Sequence, residues 1–502
     1  MAISSAVDAS AVARVLGIKS IFKDLRGGGV VNLPQRVAIV GQGSSIAVYP
    51  TTKQQVTSAS EVGSTYGFGS PLHLAVLQLL PINGDGVGTI PVTLYPLADA
   101  GGGAASAGDI TPSGTQTTAA AYRVRINNIS SEQFVINASD TVATIITAMA
   151  AAINAVLEMP VIAEDATPGT STKVGITSKW KGASANDIIL AVEGSATAGT
   201  TFAITQPVGG LVNPDVDDAL AQVGNVWETM VLNCMNVADT DTLDKFSAFG
   251  EGRWGALVRK PLMVFTGNTS TSVSNATAVS DARKTDRTNG QLVAPGSTDL
   301  PLIVAARQLA SIVQVANNNP AQDYGSRAAK GLTPGADGDQ WTYADRDSAI
   351  KKGSSSIEVK DGVINIADVV TFYHPTGEQF PAYRYVVDIV KIQNIYFNLD
   401  LIFATPEWDG APLIPDDQQT TNRSAKKPKT AVAAVASLVD SLGLEAIISD
   451  PKTAKENIFA EIDAQNPKRL NLSLTVQLSG NTGIISVDFN FGFYFGTSSV
   501  VA

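Results

Sequence analysis

The last long stretch of the chain, residues 470–495, constrains the fold most tightly. Leu470, Leu472, Leu474, Val476 and Leu478 alternate with Asn471, Ser473, Thr475 and Gln477. After the turn signal Gly480-Asn481-Thr482-Gly483, the pattern resumes as Ile485, Val487, Phe489, Phe491, Phe493 and Phe495. A period of two on both sides of a Gly/Asn turn predicts a half-buried β-hairpin. A lone hairpin is barely stable in water, and its outer edge offers unpaired N–H and C=O groups to another chain. Two outcomes stay open: the hairpin completes its own sheet, or its final strand pairs with another subunit by strand addition.

Upstream, Arg36-Val37-Ala38-Ile39-Val40-Gly41 predicts a buried strand ending in a glycine turn. Short helices are predicted over 53–66 and 71–80, the second with Leu72, Ala75, Val76 and Leu79 on one face, and Pro91-Val92-Thr93-Leu94-Tyr95 is the next strand. Strand alternating with helix signals an α/β layer around a largely parallel sheet. A Gly/Ala/Ser linker over 98–108 interrupts it. Residues 122–126 and 133–136 then predict a hairpin, Asp140 caps a helix with Val142, Ile145, Ile146, Met149, Ile153 and Val156 at helical spacing, and two strands follow over 173–178 and 187–192. This reads as a compact α+β unit inserted into a surface loop.

The α/β pattern returns with a helix over 216–223, strands over 229–233 and 262–265, and a helix over 302–315 with Val304, Ala305, Leu309 and Ile312 on its stripe. Residues 317–339 are polar and glycine-rich and read as a long surface loop. A last unit holds strands over 356–359, 363–366 and 369–374, an amphipathic helix over 385–403, a proline-rich loop over 406–415, and helices over 431–442 and 453–463. The expected fold is thus multidomain, α/β and α+β, with extended terminal arms. The expected division is an N-terminal arm (1–35), an α/β domain (36–110 and 208–340), an inserted α+β domain (111–207), a C-terminal α+β core ending in the hairpin (341–485) and a terminal strand (486–502).

The chemistry-bearing patterns are sparse. The 502 residues carry a net charge of −11 with only 16% charged residues, which disfavours nucleic acid as a direct partner and suits extensive protein contact. One cysteine, Cys234, excludes a disulfide framework. The N-terminus lacks a secretory pattern and the apolar runs are too short or too charged to span a bilayer, so assembly in a cytoplasm without membrane insertion is expected. His73 and His374 lie far apart without metal-ligand spacing and read as packing or capping residues. Gly41-Gln42-Gly43 is half of a dinucleotide fingerprint without its third glycine, and Gly43-Ser44-Ser45-Ile46 is not a nucleophile elbow. Asp239, Asp241 and Asp244 lack the glycine and glutamate of a calcium loop and fit a helix start. Lys426-Lys427-Pro428-Lys429 is the one concentrated basic run, either a solvated loop or a patch facing an acidic protein surface. No catalytic, cofactor-binding or metal-binding residues are assigned.

Taken in order, four stretches resemble the sheath proteins of contractile bacteriophage tails, particularly the Mu-like branch. They are Pro34-Gln35-Arg36 running on to Gly41; the insertion with Tyr122-Arg123-Val124-Arg125-Ile126-Asn127, Asp140-Thr141, Ala151-Ala152-Ile153-Asn154-Ala155 and Lys179-Trp180-Lys181-Gly182 through Asp187; Ile364-Asn365-Ile366 through Tyr373 with the helix that follows; and the terminal strands. The resemblance implies a structural, non-enzymatic protein of the virion, without a cofactor. In that family six subunits form a ring, rings stack helically around an inner tube, and contraction drives the tube through the host envelope. The implied partners are other copies of the chain, the inner tube protein, and baseplate and tail-terminator proteins. The exchanged strand would carry Val487, Phe489, Phe491, Phe493 and Phe495, the N-terminal arm would lie within residues 1–30, and the tube contact would use Lys426, Lys427 and Lys429. A related bacterial injection device, pyocin-like or secretion-type, fits the same pattern. The rival from another class is an α/β enzyme with an inserted cap, built on the Gly41–Gly43 turn.

Overall fold

The computed structural model describes residues 30–195, 199–378, 381–489 and 491. Strand β1 (Val37–Gln42) runs through the middle of the main sheet with every residue buried. It is followed by β2 (Gln54–Val56), α1 (Ala59–Tyr66), α2 (Pro71–Leu79) and β3 (Val92–Leu97). The helix expected from residue 53 begins only at Ala59, because residues 54–56 pair antiparallel with β3 and the Ser58 hydroxyl then caps the helix by accepting from Glu61 N–H.

The insertion comprises β4 (Ala105–Gly114), β5 (Ala120–Ile126), β6 (Ile129–Ser130), β7 (Phe134–Ile136), α3 (Val142–Asn154), β8 (Val161–Asp165), β9 (Val174–Lys181), β10 (Leu190–Gly194) and β11 (Thr200–Val208). They make two antiparallel sheets, β11-β4-β9-β8 and β10-β5-β6 with β7 also on β5. Buried and half-buried residues alternate strictly along β9, and Trp180 on it is fully buried with its indole N–H on Ser184 Oγ at 3.0 Å. Part of the stretch read as a linker is strand β4. Its residues are small, so its place is fixed by backbone pairing on both edges and not by an apolar stripe. The cap of α3 is Thr141, not Asp140: its hydroxyl accepts from Thr144 N–H, while Asp140 accepts from Asn137 N–H.

The chain then returns as α4 (Asp217–Val223), β12 (Met230–Asn233), α5 (Thr240–Trp254), β13 (Met263–Asn268), α6 (Val273–Ala282), β14 (Asn289–Val293) and α7 (Pro301–Asn318). The main sheet is ordered β14-β13-β12-β1-β3-β2, all parallel except β2. Counting the parallel strands alone gives 2-1-3-4-5, a doubly wound order. Val37, Ile39, Leu94, Leu232 and Phe265 face α2 and α7, while Ala38, Val40, Tyr95, Val231 and Val264 face α4 and α5. Burial on both faces is why these strands read as unbroken apolar runs. Strand β14 and helices α5 and α6 escape that signal. In β14, Asn289 and Gln291 are buried with their amide N–H groups partnered: Asn289 Nδ2 donates to Leu243 O at 2.9 Å and Gln291 Nε2 to Ala276 O at 2.7 Å.

The remainder packs around α8 (Tyr343–Lys351), β15 (Ser356–Lys360), β16 (Val363–Asp368), α9 (Val386–Phe403), α10 (Pro428–Leu444), β17 (Ile448–Ser449), α11 (Pro451–Glu456), β18 (Phe459–Ile462), β19 (Leu470–Ser473) and β20 (Gln477–Leu478). The segment read as a surface loop over 317–339 is partly interior. Ala329 N–H donates to Ile364 O at 2.8 Å and Ile366 N–H to Arg327 O at 2.8 Å, so the segment covers the edge of β16, and Tyr324 and Ala329 are fully buried. Residues 369–374 do not extend the β15–β16 pair; they turn away to reach β14, where Phe372 N–H donates to Asn289 O. The helix expected over 453–463 stops at Glu456 and gives way to β18.

The expected hairpin of residues 470–478 with 485–495 does not form among the described residues. β19 pairs antiparallel with β18, and β20 with β17. Leu472, Leu474, Val476 and Leu478 pack on a cluster built from Ile395, Val435, Leu438, Val439 and Leu442. The physical reason is that α9 and α10 offer these leucines a dry surface that a two-stranded ribbon cannot. Described residues beyond Gly480 adopt no strand.

Candidate assembly interface

What distinguishes the C-terminal region is an apolar arm with a fixed root and an uncovered length. Ile484, Ile485, Val487, Phe489 and Phe491 are between 76% and 81% exposed. The rings of Phe489 and Phe491 stack on each other at 5.7 Å, as residues two apart do on one face of an extended chain. Phe493 and Phe495 lie outside the described residues. Five large apolar side chains displayed together are far beyond the scattered exposed hydrophobics of an ordinary surface.

The root of this arm is held from inside. Lys391 on α9 has a fully buried side chain, and its ammonium pairs with Asp388 at 3.0 Å, donates to Ser479 O at 2.5 Å and to Asn481 Oδ1 at 2.7 Å. Asn481 Nδ2 in turn donates to Ala321 O at 2.8 Å. A buried ammonium with all three protons placed is a strong and directional tie. A cavity of about 490 Å³ opens beside it, lined by Asp323, Asp368, Arg384, Tyr385, Asp388 and Asn481. Burial pushes the carboxyls of Asp323, Asp368 and Asp388 above their ordinary range, against the pull of Lys391 on Asp323 and Asp388.

The lysine run is drawn into the fold. Lys426 is 5% exposed, pairs with Glu407 and lies 5.2 Å over the Trp408 ring. Lys427 donates to Gln418 O at 2.6 Å, and Lys429 to Asp416 O at 3.2 Å. The Asp416 carboxylate accepts Lys429 N–H at 3.0 Å and so supplies the negative charge that the start of α10 favours. Together the three lysines strap the proline-rich loop to α10; only Lys429 among them is well exposed.

In a doubly wound sheet, ligands sit beyond the carboxyl ends of the strands flanking the switch point, here β1 and β12. That crevice is occupied by the protein itself. Gln42 is fully buried and donates to Asp99 Oδ1 at 2.6 Å and to Lys181 O of the insertion at 2.7 Å. A Cβ on Gly43 would fall 2.5 Å from the Tyr49 ring, so the turn glycine makes room for a side chain of its own chain. At α5, the Asp239 carboxylate accepts Thr242 N–H, which bears out the helix-start reading of that acidic cluster. The open cleft alongside, about 780 Å³, is lined by Asp215, Asp239, Asp241, Asp244 and Lys245, the lysine paired with Asp215, so its net charge is negative and disfavours a phosphate. His73 is buried with Nδ1 accepting from Gly69 N–H at 3.1 Å; burial and nearby Lys179 depress its pKa to about 4. Among the described residues no cluster of His, Cys, Asp or Glu is arranged to hold a metal, and no helix is long and apolar enough to cross a membrane.

The residues that hold the arm root were missed from sequence. Lys391, Gln393, Asn394 and Asn398 interrupt an otherwise apolar helix, and polar residues at inward positions of such a helix were the available signal.

Across most of its length the chain is similar to the Mu-like prophage FluMu tail sheath protein of Haemophilus influenzae, at 23% identity over 429 residues, covering 83% of this chain and 84% of that one. Among solved structures it is similar to a sheath tail protein of Listeria innocua, with a TM-score of 0.48, 10% identity and coverage of 90% and 94%. A sheath tail protein of Desulfitobacterium hafniense gives a TM-score of 0.45, 12% identity and coverage of 92% and 100%. No protein-family model matches the chain.

Proposed function

We infer that this chain is the sheath subunit of a contractile tail, a structural protein that polymerises around an inner tube. The observation that carries the reading is the C-terminal arm, clamped at its root by Lys391 and apolar and uncovered beyond it. In this reading, Val487, Phe489, Phe491, Phe493 and Phe495 add as a strand to a neighbouring subunit, with backbone pairing for affinity and alternate phenylalanines for burial. Subunits stack as hexameric rings, contraction enlarges their contacts, and the tube is driven through a host envelope during genome delivery. The subunit does no catalysis, and the filled crevice at the ends of β1 and β12 supports that. Baseplate and terminator proteins would meet the two ends of the stack, in a virion assembled in the host cytoplasm. Of the basic run, we assign the tube contact to Lys429, because it is the exposed one, Lys427 is half-buried and Lys426 is committed to Glu407.

Electron microscopy of the purified protein tests this directly: hollow tubes or stacked rings are expected. A small oligomer stabilised by a nucleotide would return the enzyme reading.

A further inference from the structure

Residues near both ends of the described chain, 31–33 and 479–481, are tied to the same helix. Val31 N–H donates to Asn398 Oδ1 at 3.0 Å, and Asn398 Nδ2 returns a bond to Val31 O at 3.0 Å. Leu33 N–H donates to Asn394 Oδ1 at 2.7 Å. Lys391 holds Ser479 and Asn481 at the other end of the chain. Residues 391, 394 and 398 are separated by three and four, so they fall on one face of α9 within about 10 Å of helix. All three are buried, at 0%, 0% and 4% exposure. Helix formers of ordinary apolar type would pack here at lower desolvation cost, and buried polar side chains aimed at two remote backbone segments specify position.

We propose that α9 is the common mooring of both terminal arms, with Lys391, Asn394 and Asn398 as its positioning residues. Tension that enters a subunit through one arm leaves through the other along α9, with α7 as a second hold on the N-terminal side, where Gln35 N–H donates to Asn317 Oδ1 at 3.1 Å. The role in an assembled tail rests on the sheath reading; the mooring itself is a property of the single subunit.

The test pulls one full-length subunit between handles at Gly29→Cys and Ile484→Cys; Cys234 is buried and does not compete. The wild type is expected to give a first rupture that releases only the roots, leaving the sheet folded. That event is lost from one side in N394A/N398A and from the other in D388N/K391M, which removes both charges and so leaves no unpaired buried charge. Asn398→Ala and Asn481→Ala keep each side testable where a double variant does not fold. Hydrogen exchange is the second readout: the amides of Val31 and Leu33 are expected to exchange about tenfold faster in N394A/N398A, the equivalent of one lost hydrogen bond. Identical traces and exchange in all variants, or a sheet that yields before the roots, would overturn the mooring. Because no tube is needed, the result is independent of the assembly reading, which deletion of residues 486–502 tests alone.

Discussion

The doubly wound sheet and the C-terminal region solve the problem of burial in opposite ways. In the sheet, every strand edge but the outermost is paired within the chain, and both faces are covered by helices. In the C-terminal region the strands occur only as pairs, β15-β16, β17-β20 and β18-β19, and five large apolar side chains of the arm have no cover among the described residues. The first region is finished by its own sequence. The second has its polar groups spent on holding the ends of the chain in place, and its apolar groups left for something else. The difference teaches that completeness within the chain and readiness to assemble are allotted to separate parts of one molecule.

The comparison breaks most visibly if the arm is removed. Deleting residues 486–502 is expected to abolish tubes in electron microscopy while moving the thermal midpoint of the subunit by no more than about 2 °C. A collapse of the midpoint would mean that the arm belongs to its own unit. Next in size, Phe265→Ala in the sheet is expected to cost about 3–5 kcal/mol in urea titration. Phe489→Ala with Phe491→Ala is expected to cost the isolated subunit less than about 0.5 kcal/mol. Equal costs would erase the distinction between the regions.

A subtler contrast lies in pH. His73, neutral and buried, has a folded pKa lowered to about 4, so the stability it contributes is complete above its ordinary value and is lost as pH falls from about 6.5 toward 4. His73→Gln should flatten that loss by about 1–2 kcal/mol between pH 7 and pH 4.5. Asp368 beside α9 has the opposite sign. Its pKa is raised by burial and then by Asp323, so its contribution is complete at low pH and is lost as pH rises. Asp368→Asn is expected to raise stability at pH 8 and to leave it unchanged below about pH 4, read from denaturation midpoints across that range. The smallest effect is expected at Lys427 and Lys429. Alanine at both should change stability by less than about 0.5 kcal/mol while speeding proteolysis of the proline-rich loop, and an unchanged cleavage rate would deny the strap.

How much was legible follows the same division. Val37–Val40, Val92–Leu94 and Met263–Phe265 were readable because strands buried on both faces must be apolar throughout. β14 was not, since Asn289 and Gln291 are stabilised by partners distant in sequence that no local pattern displays. At the C-terminus the alternation of residues 470–478 was read as one strand, whereas the structure breaks it into β19 and β20 with a gap over 474–476 and gives each a different partner. Periodicity reports which face is apolar, while the choice between β18, β17 and a later strand depends on the surface that α9 and α10 present. In the candidate site, Val487, Phe489 and Phe491 stood out as an apolar row, whereas Lys391, Asn394 and Asn398 were not singled out within an amphipathic helix. The polarity of a residue does not disclose whether water or a backbone segment 367 positions away is its partner.

The exposed arm also sets a clock. A free subunit that displays Ile484, Ile485, Val487, Phe489 and Phe491 is a reactive monomer, prone to pair with any open strand edge it meets. Its safe lifetime falls as its concentration rises, so the order in which correct neighbours arrive matters as much as how tightly they bind. A template that presents the right edge early converts a hazard of the solitary chain into the growth step of a polymer.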